Sequence, residues 1–204
     1  MTAERRRFET AIEAIDAANR DDPVRIEVRG ERRPKELAHA ELATEWVHRL
    51  VDDPSEELLL AARAHHVRRW TLPRSSYPEG RSGYLKWRKR LHEVHAEIVG
   101  GILDGAGYPP PAVERVQDLV RKKGLAAGDP EAQALEDALC LVFVETQFHD
   151  VAARLGDDKT VEVVKKTLRK MSARAQSLAL GLPLTPADAA LVERALADLD
   201  AESA

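Results

Sequence analysis

A single cysteine, Cys140, leaves the chain no partner for an internal disulfide, which suits a reducing compartment. It sits inside the apolar run ALCLVFV with no His, Lys or Arg close by in sequence, so it reads as a buried, inert thiol. Aromatic residues make up only 4% of the chain, and no stretch approaches the ~20 uninterrupted apolar residues of a membrane-spanning helix. The N-terminal MTAERRRFETAIEAI carries charges but no apolar secretion-type core, so the expectation is a soluble cytoplasmic protein with no membrane partner. Excess charge is missing too. The 31 Lys and Arg against 35 Asp and Glu leave a net −4, which gives no global attraction to nucleic acid, so any such attraction must be local.

What is present favours helices. Charged residues are 32% of the chain, Ala, Leu, Glu and Arg abound, and few stretches are dominated by β-branched residues. The expectation is an all-α single domain of about eight helices, with at most one short β segment near residues 24–28, an extended stretch or hairpin arm, where VRIEVRG alternates apolar and charged residues before Gly30. Helical spacing covers 3–19, the stretch after Pro34, and a helix from the natural cap Ser55 to about Trp70. Residues 71–82 are aperiodic and form the longest loop. Further helices are expected over 84–105, from about 111 to Gly124, and from Asp129 through an all-round apolar stretch at 138–144. Two amphipathic helices, one over KTVEVVKKTLRKMSARAQSLAL from Lys159 to Leu180 and one over PADAALVERALADL, finish the chain.

Helical phase sorts the histidines. His39 shares a stripe with Leu42, Ala43, Trp46 and Leu50, and His95 shares one with Leu91, Ile98, Val99 and Ile102; both should point inward. His48 falls on the opposite face of its helix and should be solvated. In LLLAARAHHVRRW, His65 and His66 both flank the buried face, and phase does not choose between them. Asp137 enters the most apolar helix, where a carboxylate is costly unless it meets a cation or several donors. Imidazoles and a carboxylate converging from four helices are a ligand set for Zn²⁺, Mn²⁺, Fe²⁺, Co²⁺ or Ni²⁺, although none has a tight spacing such as His-x₃-His.

Between Arg68 and Arg90 eight Lys or Arg face one acid, Glu79, a local charge of +7. Arg68, Arg69, Arg74, Arg81, Lys86 and Arg88 are the candidate phosphate or anion contacts, and Trp70, Tyr84 and Trp87 interleave with them.

The order His39, His65-His66, His95, Asp137 resembles the HD-domain superfamily of all-α metal-dependent phosphohydrolases, which carry a His, a His-Asp pair, often further His, and a distant Asp. The resemblance implies an HD-like core over about 34–150, with C-terminal helices over about 157–200 packed on it. His-His replaces His-Asp here, and the bridging carboxylate of dinuclear members is missing, which implies a mononuclear site. More closely, RPKELAHAE, AARAHHVRRW, PRSSYPEGRSGYLKWR and LEDALCLVFVE look like an uncharacterised family, domain of unknown function 4202, over nearly the whole chain. The expectation is a hydrolase of a phosphorylated small molecule or nucleotide, with one divalent transition metal held by His39, His66 and Asp137, and His65 or His95 as a candidate further ligand. The rivals are an HD-like iron oxygenase and a metal-free module that binds RNA or protein.

Overall fold

The computed structural model describes residues 2–203 and is all-α apart from one hairpin. It divides into two compact units, 1–135 and 136–204.

The first unit opens with α1 (Ala3–Arg20), whose first turn is capped by the Thr2 hydroxyl accepting from Arg5 N–H. A two-stranded antiparallel hairpin follows, β1 (Arg25–Val28) and β2 (Glu31–Pro34), with Val28 opposite Glu31. Its two-residue turn puts both Arg29 and Gly30 at positive φ, 53° and 81°, as a turn matched to strand twist requires. Helix α2 (Lys35–Leu50) starts at Pro34, and one buried carboxylate ties this start to the hairpin's entry. Asp22 accepts from Val24 N–H and from Glu36 N–H, each at 2.9 Å. Two amides at element starts that have no partner within their own element are thereby satisfied.

Helix α3 (Glu56–Ala64) is capped by the Ser55 hydroxyl and packs against α1, α2 and α5. Leu58, Leu60, Ala61, Ala62 and Ala64 are all fully buried, so it is the apolar axis of this unit. Arg63 escapes this face and forks onto Asp16 of α1 with two contacts of 2.6 Å. The chain then runs through two 3₁₀ turns, Arg69–Thr71 and Arg74–Ser76, into α4 (Gly80–Gly105). Gly83 is needed where α4 passes Pro78, since a Cβ there would lie 1.9 Å from the Pro78 carbonyl oxygen. Helix α5 (Pro110–Val120) opens on prolines, and α6 (Pro130–Thr146) begins in this unit.

The second unit holds the rest of α6, then α7 (Phe148–Leu155), α8 (Asp157–Leu168), α9 (Ala173–Leu180) and α10 (Pro186–Ser203). Its core includes Phe148, Val161, Val164, Leu168, Ala175, Val192 and Ala195.

Three differences from the sequence expectation matter. The segment at 24–28 is the first arm of a complete hairpin. The helix expected to reach Trp70 stops at Ala64, and the loop expected at 71–82 instead spans 65–79, because α4 already starts at Gly80. The amphipathic stretch from Lys159 to Leu180 is broken at 169–172, where Ser172 caps α9. Ten α-helices result among the described residues, where about eight were expected.

Candidate metal centre

In α2, Glu36 and His39 lie three residues apart and so share a face of the first turn. Both are buried, at 4% and 2% exposure, and Asp22 holds the Glu36 backbone in place. The turn after α3 brings His66 to the same point. One ligand atom from each of Glu36, His39 and His66 lies within 4.8 Å of the other two.

Glu36 Oε2 is 3.2 Å from His66 Nδ1 and 3.8 Å from His39 Nδ1. Two ligand atoms each about 2.1 Å from one ion stand roughly 3.0 to 3.4 Å apart at right-angled or tetrahedral geometry; the His66 separation falls in that range, and His39 stands a few tenths of an ångström beyond it. Glu36 Oε2 and His66 Nδ1 are also buried without a hydrogen-bond partner, although they face each other. A metal ion shared between them would give both atoms a ligand bond. The residues present therefore fit a divalent cation.

The electrostatics agree. Burial pushes the Glu36 carboxyl up, but the His66 and His39 imidazoles outweigh it and hold the carboxyl well below the usual carboxylate range. Burial, reinforced by His65, drives the His66 imidazole well below its ordinary value. A carboxylate beside a neutral imidazole is the protonation state that metal ligation needs. About a third of the His66 side chain (33%) remains exposed.

The adjacent histidines have separate jobs. His65 is buried and donates Nδ1–H to the Ala62 carbonyl at 2.8 Å, and burial pulls its pKa down to about 3. His65 and His66 ring centres are 4.1 Å apart, so His65 forms one wall of the site. His95, on α4, donates Nδ1–H to the Val67 carbonyl at 2.8 Å, and burial pulls its pKa down to about 4. Its Nε2 is buried without a partner, and its ring centre is 5.8 Å from that of His66. His48 is exposed, as phase predicts.

Asp137 belongs to the second unit. Its two carboxylate oxygens accept from Ser172 N–H and Ser172 O–H, and they hold the residue that caps α9. The ligand group described above is drawn wholly from the first unit. Sequence reasoning missed Glu36. The available signal was its place three residues before an inward-facing His39, a spacing that puts both on one face.

The basic segment is also sorted. Arg69 lies at the centre: its Nη1 is 3.1 Å from His66 Nε2, its Nε 3.9 Å from Glu36 Oε1, and its guanidinium sits 5.1 Å from the Trp87 ring centre. Burial lowers its pKa, Glu36 opposes this, and Arg88 adds to the lowering, so Arg88 is near enough to be felt. Arg74 is turned to structure instead and donates to the carbonyls of Tyr77 and Pro78 at 2.9 and 2.8 Å. Arg68 is exposed with its backbone in the left-handed region (φ 51°), held there by Asn19 Oδ1 accepting its N–H. Arg81 and Lys86 are exposed on α4, and Trp87 Nε1–H pins the loop at the Leu72 carbonyl.

Among the described residues no helix is long and apolar enough to cross a membrane. No curated protein and no solved structure matches the chain. The family described as Domain of unknown function (DUF4202) matches residues 9–192, a span that contains every residue of the candidate centre, and the chain belongs to that family.

Proposed function

We propose that Glu36, His39 and His66 hold one divalent transition metal and that the protein hydrolyses a phosphorylated small molecule or nucleotide. The carrying observation is the buried Glu36 carboxylate, whose Oε2 faces His66 Nδ1 at 3.2 Å and His39 Nδ1 at 3.8 Å. A metal held by Glu36, His39 and His66 would supply an activated water near neutral pH and would polarise a phosphoryl oxygen. Glu36 provides a single negative charge and the imidazoles none, so a dication there keeps an excess positive charge for an anionic substrate. Arg69 adds a second cation at the same point. The resemblance to metal-dependent phosphohydrolases supports the same reading.

The test is metal analysis of protein purified without added metal, followed by assay on a panel of phosphomonoesters. Metal near one equivalent is expected in the wild type, and His66→Ala and Glu36→Ala should lose both metal and activity. Metal that is absent from the wild type, or unchanged in both variants, removes the assignment.

One observation favours a second reading. Two His and one carboxylate with open positions are also the donor set of non-haem iron oxygenases. Iron near stoichiometry, with no hydrolysis of any phosphoester tested, would select oxidation.

A further inference from the structure

We infer that Arg69 is an anion-binding residue held in reserve by His66, and that metal loading of the site releases it to bind a phosphate oxyanion. The inference rests on the metal reading above and adds an order of binding to it.

The argument starts from donors and acceptors. A guanidinium has five N–H donors and no acceptor. Its 3.1 Å contact with His66 Nε2 therefore requires that Nε2 present a lone pair, which leaves the ring proton on Nδ1. Metal ligation through Nδ1 moves that proton to Nε2, where it would point at an Arg69 N–H. Ligation through Nε2 instead puts a cation where the guanidinium now stands. Either way, the metal and the Arg69–His66 hydrogen bond exclude one another.

The released guanidinium has little distance to travel. It stays over Trp87, a contact that does not involve its N–H edge, and it remains close to Glu36. Its side chain is 31% exposed, so the freed donors can reach a ligand from solvent. Arg88 nearby adds positive potential. A ligand that satisfies both the metal and a freed planar fork needs at least two anionic oxygens on one centre, and a phosphate group has them. Metal and phosphate should then bind in sequence, the first creating the donor set for the second.

The experiment is calorimetric titration of the full chain with Zn²⁺ or Mn²⁺ alone, and with inorganic phosphate in the presence and absence of metal, for the wild type and Arg69→Met. The wild type should bind phosphate at least tenfold more tightly with metal than without. Arg69→Met should bind metal roughly tenfold more tightly, because a charge-assisted competitor is gone, and should lose the metal-dependent phosphate binding. A variant with unchanged or weaker metal affinity, or a wild type whose phosphate affinity ignores metal, overturns the inference and leaves the metal centre standing. A wild type that binds no metal overturns both. An NMR measurement on the wild type needs no variant: the Arg69 Nε–H resonance should shift on adding Zn²⁺ and again on adding phosphate, and silence towards bound Zn²⁺ overturns the inference.

Discussion

His95 donates Nδ1–H to the carbonyl of Val67 at 2.8 Å, so helix α4 grips the backbone one residue beyond His66. The grip fixes where the His66 ring can stand. Replacing His95 with Leu removes the donor and leaves a buried carbonyl unsatisfied, at a cost of about 1–3 kcal/mol. Supporting partners of this kind typically matter about 10- to 100-fold for metal affinity. Urea denaturation and metal titration of His95→Leu should show both losses; an unchanged metal affinity would mean that His66 is positioned without α4.

Metal should stabilise the first unit. At a hundred times its dissociation constant, a ligand specific to the folded state adds about 2.7 kcal/mol. Thermal unfolding should therefore shift up with Zn²⁺ or Mn²⁺ and return with EDTA, while His66→Ala shows neither shift. An equal shift in His66→Ala would place the bound metal elsewhere.

Acid should unfold the protein through its buried imidazoles. His65 and His95 have folded-state pKa values of about 3 and about 4 against an ordinary 6.5. Above that value both groups are neutral in either state and the stability is fully present. Between 6.5 and the folded values only the unfolded chain takes up protons, so stability falls as pH falls. Each group adds a slope of up to about 1.4 kcal/mol per pH unit. Denaturation followed from pH 7 to pH 5 should show this loss, and His65→Gln should flatten the profile by one group's share. A profile identical to the wild type would show that His65 titrates normally.

Asp137→Ala should lose both contacts to Ser172 and loosen the start of α9, at about 2 kcal/mol. Amide hydrogen exchange over residues 172–176 should rise in this variant. Protection equal to the wild type would mean that Ser172 caps the helix unaided.

Gly83→Ala drives a methyl group into the Pro78 carbonyl, and the loop before α4 must move. A destabilisation of about 1–3 kcal/mol is expected. An unchanged midpoint would show that the loop yields freely.

Much of the fold was legible because its helices carry strong periodic patterns. The phase that placed His39 and His95 inside and His48 outside depends only on neighbours within one helix. The end of α3 was not legible: LLLAARAHHVRRW contains no Gly or Pro, and the turn is held by Asn19, 49 residues away from Arg68. The break before α9 has the same origin, since Ser172 is fastened by Asp137 from 35 residues upstream. Glu36 escaped notice because an acid in a helix's first turn already has an ordinary explanation in the helix dipole. Only its burial beside two imidazoles separates it from Glu56 or Glu57 at the start of α3. The second strand, ERRP, is too polar to announce itself and forms because its partner strand and turn are in place.

The two ends of the hairpin excursion meet on a single carboxylate, that of Asp22, which binds both Val24 and Glu36. The length of chain between them therefore does not set where Glu36 stands. For protein engineering, this makes Arg29–Gly30 a natural insertion point: a tag or fluorescent reporter grafted there lengthens the excursion while its base stays fastened.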